Sequence, residues 1–265
     1  MAAGDTLDRT VLTASDHVQS VLQRESTSQR DGFLQSVTPA VTLVGLLVLL
    51  VVAVSQQRVT PLAVLGGVAL ALAAASRLRA REMATSVLPV AAMAAVVVAP
   101  QAVSLPGELL VGPVTDSGAL AVAVFVLRVS VCVSLVTLLL STTRFVDLLD
   151  ALDSLGVPAV ALTLLGVTHR YLLVFFQAVS RSVRARRSRQ IQSRSLRRRW
   201  RDAGSMLGTF FVQVLERGEG VQRAARARGG TQARGYETRQ SLGRADALFV
   251  TLVCTTTGLT LWVGL

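Results

Sequence analysis

Apolar residues occur along this chain in long uninterrupted blocks, not in the alternating or one-sided patterns of a soluble domain. The blocks run from about Val37 to Val54, Val59 to Ala75, Ser86 to Ser104, Gly118 to Leu140 and Ala245 to Leu265. A bilayer core of about 30 Å takes roughly 20 mostly apolar residues in a helix, so each block predicts a membrane span. Pro61 falls in the first turn of the second block, where a missing N–H costs no intrahelical bond. The blocks are rich in Val, Ala, Gly and Thr, and small residues let helix backbones approach closely in lipid.

Between the fourth and fifth blocks the period changes. Phe145, Leu148, Leu149, Leu152 and Leu155 fall on one face, with Asp147, Asp150 and Asp153 off it, which predicts an amphipathic helix over about Thr143–Leu155. Gly156 is a helix stop and Pro158 a helix start. A second, long helix is predicted over Pro158–Gln190; it is apolar as far as Phe176 and then strongly basic. Its first half has the hydropathy of a span. His169 and Arg170 would sit at its centre, however, and a central arginine costs about 2.5–3.5 kcal/mol even on the permissive insertion scale. A polar linker, Ile191–Arg201, is predicted next. A third helix over Asp202–Ala227 carries Leu207, Phe210, Phe211, Val214, Gly218 and Val221 on one face and a Glu219–Arg223 pair on the other.

Composition sharpens this picture. Of 265 residues 51% are hydrophobic and only 16% charged, against about 25% charged in soluble domains. Yet the formal net charge is +11, and all 27 basic residues are arginine. Nineteen of those arginines, against seven acids, lie between Ser141 and Arg244. Basic residues stay on the cytoplasmic side of the membrane, so that segment is expected inside, as are Arg77, Arg79 and Arg81 after the second block. Arg58 alone runs against the scheme. The expected organisation is a polar cytoplasmic N-terminal arm (1–36), four membrane helices (37–141), a cytoplasmic segment (142–244) and a fifth membrane helix (245–265). The arm has no apolar core or cleavage site of a signal peptide; Leu7, Val11, Val18 and Leu22 give it a weak amphipathic pattern.

Little in the chain suggests chemistry of its own. Cys132 and Cys254 lie inside spans, and His17 and His169 have no companion ligand at metal spacing, so neither a metal nor another cofactor is expected. No P-loop motif exists, and there is no lysine to complete one. The spans hold almost no ionisable group apart from Arg128, which disfavours a membrane enzyme. A membrane-anchored RNA- or lipid-binding protein is the alternative of another class, but Trp200 is nearly the only aromatic among the arginines, so a base-stacking surface is missing. Two long helices with apolar bodies and arginine-bearing tips at Arg189 and Arg228 fit contact with another protein instead, through charge-assisted hydrogen bonds to acids.

Several stretches together carry a resemblance. They are Thr142-Thr143-Arg144-Phe145 through Gly156-Val157-Pro158, then Thr168-His169-Arg170-Tyr171-Leu172, then Glu216-Arg217-Gly218-Glu219 ahead of Ala227-Arg228-Gly229. The chain resembles the transmembrane coupling subunit (T component) of energy-coupling factor (ECF) transporters, the EcfT/CbiQ family, in its cobalt-type branch. The resemblance implies an all-α polytopic membrane protein with about five transmembrane helices. It also implies a cytoplasmic coupling domain of three helices, two of them long and crossing. Such a subunit has no enzyme activity. It transmits ATP-driven motion from two ABC-type ATPase subunits to a separate substrate-binding membrane (S) subunit, here for cobalt, or alternatively nickel or a vitamin. The family's ATPase-docking motifs correspond to Ser188-Arg189-Gln190, which keeps only the arginine, and to Ala227-Arg228-Gly229, which is intact. Ala233-Arg234-Gly235 competes for the second assignment, and spacing from Glu216-Arg217 favours Arg228. The partners implied are these subunits and the lipid bilayer of the cell membrane, with no nucleic acid.

Overall fold

A computed structural model describes residues 32–78, 80–104, 109–111, 114–188, 196–229 and 243–264. In chain order its helices are α1 Pro39–Ser55, α2 Val59–Ala75, α3 Ala80–Val98, a single turn α4 Gln101–Ser104, α5 Asp116–Thr142, α6 Phe145–Ser154, α7 Ala159–Ser188, α8 Leu196–Ala227 and α9 Arg244–Gly264. A 3₁₀ turn at Leu34–Ser36 precedes α1. Two short strands, β1 Leu109–Val111 and β2 Val114–Thr115, pair antiparallel between α4 and α5. The described residues are helical almost throughout, as the apolar blocks predict.

Two boundaries differ from the sequence expectation. The third membrane helix begins at Ala80 and ends at Val98, whereas hydropathy alone places it over Ser86–Ser104. Ala80, Arg81, Glu82 and Met83 are all strong helix formers, so the helix extends past the edge of the apolar block. It stops before Pro100, which disfavours helical geometry in the residue ahead of it. Likewise α8 begins at Leu196, inside the stretch Ile191–Arg201 expected as a linker. Leu-Arg-Arg-Arg-Trp-Arg holds neither glycine nor proline, and leucine and arginine sustain a helix whatever their polarity.

Four described helices are long and apolar enough to cross a membrane: Ala80–Val98, Asp116–Thr142, Ala159–Ala185 and Arg244–Val263. The third of these is the first part of α7. α1 and α2 have 17 residues each, about 26 Å of helix at 1.5 Å per residue. The chain is a polytopic membrane protein.

The helices fall into two compact units. One contains α7 and α8; the other contains α1–α6 and α9. α6 packs against α1, and the division between the units falls after Gly156. The core of the larger unit joins Leu46, Leu49 and Val52 of α1, Leu65, Ala69 and Leu72 of α2, Val131, Leu135 and Leu138 of α5, and Phe249 and Val253 of α9. Gly45 makes the α1–α9 contact close: a Cβ there would overlap Cε1 of Phe249 and lie 3.0 Å from its Cζ.

Polar bonds fix which helix ends lie together. Asp246, only 3% exposed, is the third residue of α9. Its carboxylate accepts from the Gly243 N–H at 2.6 Å, the Thr38 N–H at 2.7 Å and the Thr38 hydroxyl at 2.9 Å. Gly243 immediately precedes α9 and Thr38 is the N-cap of α1, so one acid satisfies orphan donors at two helix starts, where negative charge is favoured. Phe33 donates to the Ala75 carbonyl at 3.3 Å, which brings the end of α2 back to the same level. At the opposite end Arg58 donates to the Val263 carbonyl at 3.4 Å and Arg128 to the Gln56 carbonyl at 2.5 Å. α1 and α9 are therefore parallel, with α2 antiparallel to both.

Candidate functional site

The turn that launches α7 follows from three residues. α6 closes with Leu155 N–H to Ala151 O at 3.2 Å and Gly156 N–H to Asp153 O at 2.9 Å. Gly156 has φ +85°, a left-handed conformation that glycine adopts without a Cβ penalty. Pro158 then offers its carbonyl to the N–H groups of Ala161 and Leu162 at 2.9 and 3.3 Å. From there α7 runs 30 residues and α8 runs 32, roughly 45 and 48 Å.

α7 and α8 touch through an aromatic group. Phe175 of α7 meets Phe210 of α8 edge-to-face, with centroids 5.9 Å apart at 86°, the geometry the ring quadrupoles favour. Tyr171, one turn earlier, lies 6.0 Å from Phe175. The Arg217 guanidinium sits 5.8 Å from the Tyr171 ring centroid, within cation–π range. The register is informative. Going forward along α7 from Tyr171 to Phe175, the partner goes backward along α8 from Arg217 to Phe210. The helices therefore pass in opposite senses, and their C-terminal arms leave the contact on opposite sides.

Tyr171 and Arg217 belong to two motifs separated by more than forty residues of sequence, one in Thr168–Leu172 and the other in Glu216–Glu219, and the fold brings them together. Residues 33–240 match the CbiQ family, described as cobalt transport protein. The chain belongs to the CbiQ family. An uncharacterized protein, MJ1571 of Methanocaldococcus jannaschii, is 25% identical to it over 234 residues, covering 84% of this chain and 80% of that one. A CbiQ-family chain is a transporter component and not itself a catalytic enzyme.

In this CbiQ-family chain the predicted docking residues that the structure describes, Ser188, Ala227, Arg228 and Gly229, lie at the C-terminal ends of the two arms. Ser188 is the exposed last residue of α7, its hydroxyl donating to the Ala185 carbonyl at 2.9 Å. It lies 13 residues beyond Phe175, roughly 20 Å of helix. Arg189 and Gln190 lie outside the described residues, as do Ala233, Arg234 and Gly235. On the other arm Ala227 ends α8, and Arg228 follows 11 residues beyond Arg217, roughly 17 Å. Gly229 has φ +102°, and its N–H donates to the Arg226 carbonyl at 3.2 Å, while Arg228 donates to Ala224 and Ala225 at 3.3 and 3.2 Å. The glycine stops the helix, as its position in the sequence predicts. Arg228 is left exposed just past the last turn, next to the carbonyl end of the helix dipole, where a cation is favoured.

The predicted apolar face of α8 divides in two. Phe210, Val214 and Val221 are half-buried, whereas Leu207 and Phe211 are exposed, as are Val160 and Leu164 of α7. Sequence patterning showed the stripe but not the division, because both halves have the same period. Arg217 was also missed as a contact residue: a polar side chain reads as outward-facing until its ring partner is known. Among the described residues no group of three or more His, Cys, Asp or Glu is placed to hold a metal ion.

Proposed function

We propose that the chain is the transmembrane coupling subunit of an ECF-type importer. It would transmit ATP-driven motion from two cytoplasmic ABC-type ATPases to a substrate-binding membrane subunit, and its cargo would be cobalt. The observation that carries this reading is the single aromatic crossing of α7 and α8. Arms leaving it on opposite sides suit docking to two separate ATPase subunits, one through Arg189, next in sequence after the last residue of α7, and the other through Arg228. Each guanidinium would pair with an acid of its ATPase by a charge-assisted, bidentate bond. A crossing fixed at one place behaves as a lever, so displacement of the tips is carried to the apolar halves of the helices. Exposed Leu207, Phe211, Val160 and Leu164 then offer a surface for the substrate-binding subunit.

Topology supports placing the tips in the cytoplasm. α1 and α9 start at the same level, so the chain makes an even number of crossings between those two points. α1, α2, α3 and α5 supply four. Had α7 crossed alone, α9 would begin on the opposite face; α8, with its arginines spread along its length, offers no compensating span. The segment 142–244 is therefore read as lying on one side, and its nineteen arginines make that the cytoplasmic side.

The test is purification of the tagged chain in mild detergent together with transport by reconstituted complexes. Two ATPase chains should co-purify. Arg189→Ala and Arg228→Ala should each lower cobalt uptake and together abolish it, while the protein stays in the membrane. Normal uptake in both single variants and in the pair would sink the docking assignment. Uptake of nickel or a vitamin in place of cobalt would move the chain to another branch while leaving the coupling reading intact.

A further inference from the structure

Below the crossing, α7 carries a cavity that the coupling reading does not use. It has a volume of about 340 Å³, and among the described residues it is lined by Gln177, Ser180, Arg181 and Arg184. These positions are three, four and seven residues from Gln177, so they share one face of the helix. Ser180 is 2% exposed, and its hydroxyl is buried with no hydrogen-bond partner among the described residues. Gln177, Arg181 and Arg184 are exposed around it. Every one of these four side chains can donate a hydrogen bond and none is an acid.

A buried hydroxyl in need of an acceptor, flanked by two guanidinium groups and an amide, is matched by an oxyanion. A phosphate suits it best. Its several oxygens can take a bidentate arginine bond and still accept from a hydroxyl and an amide. Placing an anion there also relieves the repulsion between Arg181 and Arg184, like charges three residues apart. The position along α7 selects the source. Residues 159–176 are apolar apart from the central Thr168-His169-Arg170-Tyr171, and Arg181 and Arg184 are the first arginines of the densely basic end. The cavity therefore lies where the helix passes from hydrocarbon-like to water-like sequence, the depth at which bilayer phosphates sit.

We propose that Gln177, Ser180, Arg181 and Arg184 form a binding site for the phosphate of an anionic phospholipid headgroup, which would hold α7 at a fixed depth in the bilayer interface. This reading does not depend on the tips docking ATPases. The test titrates phosphatidylglycerol into the full chain in neutral detergent, with bound lipid counted by native mass spectrometry. Arg181→Gln/Arg184→Gln is compared with Arg197→Gln/Arg201→Gln, which removes the same charge from exposed positions on α8. The first pair should weaken lipid binding roughly tenfold more than the second, the scale of one to two arginine–phosphate contacts. Ser180→Ala, which removes the hydroxyl and no charge, should weaken it severalfold. Equal weakening by the two pairs overturns the proposal, because a diffuse basic surface would then account for the binding. Saturation by inorganic phosphate with no competition from phosphatidylglycerol overturns the lipid source. Loss of an ATPase chain from the Arg181→Gln/Arg184→Gln complex, with lipid binding unchanged, makes the cavity a protein-docking site and equally overturns it.

Discussion

Asp246 bonds Thr38 across 208 residues of sequence and so joins two helix starts, and its removal has a calculable cost. Asp246→Ala strips the acceptor from two backbone N–H groups, those of Thr38 and Gly243, and from the Thr38 hydroxyl. The hydroxyl can rotate to another acceptor; the backbone groups cannot. A donor left unmade away from water costs about 1–3 kcal/mol, the case of half-buried Thr38, whereas Gly243 is exposed and loses only about the net 1 kcal/mol of its bond; the two N–H groups together cost about 2–4 kcal/mol. Asp246→Asn keeps the shape and one acceptor oxygen but turns an NH2 group toward a donor, for about half that loss. Thr38→Val removes only the hydroxyl bond, about 1 kcal/mol. For a chain of this size each kcal/mol lowers the melting temperature by about 2–4 °C. Scanning fluorimetry of the detergent-solubilised full chain at one fixed scan rate should therefore find Asp246→Ala lower by about 5–15 °C, Asp246→Asn intermediate and Thr38→Val least affected. An Asp246→Ala protein that melts with the wild type, or a series in which Thr38→Val loses most, would refute the assignment of the carboxylate as the shared cap.

Three further outcomes follow from the packing. Gly45→Ala should lower the melting temperature through about 1–3 kcal/mol of overpacking, because its Cβ would strike a Phe249 ring that is 0% exposed; trimming that ring with Phe249→Leu in the same chain should restore part of the loss. Phe175→Ala and Phe210→Ala should each leave ATPase activity of the complex in place while reducing transport, and a double-mutant cycle on stability should give a coupling of about 0.5–1.5 kcal/mol. Additive effects would mean that the edge-to-face pair does not hold the crossing. Gly229→Ala forces a Cβ into a left-handed conformation at a local cost of about 1–2 kcal/mol, so it should impair coupling through the Arg228 tip with Arg228 itself unchanged. Full coupling in Gly229→Ala would show that the helix stop is not needed to present the arginine.

The sequence reading was strongest where one residue type repeats. Long, mostly apolar runs mark α1, α2, α5 and α9 because lipid and core both accept such runs, and neither requires a partner to be known. Gly156 and Gly229 were legible as helix stops for the same local reason: a left-handed residue after a helix favours glycine. The beginning of α8 was not legible, since polarity suggested a linker where arginine and leucine simply continue a helix. Tyr171–Arg217 and Thr38–Asp246 lay beyond reach because each is a pairing of distant residues. Asp246 did carry a local hint, an acid three residues after the residue preceding α9, the spacing at which an acid reaches back to a helix start. Nothing local pointed to Thr38.

Arg58 shows how a charge rule and a structural need compete at one residue. By charge distribution it lies on the wrong side, alone against the arginines that set the orientation. In the fold its guanidinium reaches the Val263 carbonyl at the end of α9, a group the helix leaves without an intrahelical partner. Arg128 does the same for the Gln56 carbonyl beyond α1. Arg58 is itself the N-cap of α2 and Arg128 lies within α5, but both guanidinium groups reach C-terminal ends of other helices, where the dipole favours a cation and a free carbonyl needs a donor. The positive-inside rule is a bias summed over short loops rather than a constraint on each residue. On the proposed orientation, two arginines committed to helix ends leave the bias of nineteen intact. What distinguishes them is the acceptor: Arg58 and Arg128 bond carbonyls of this chain, whereas Arg228 stands exposed beyond its helix, in a position to reach a partner.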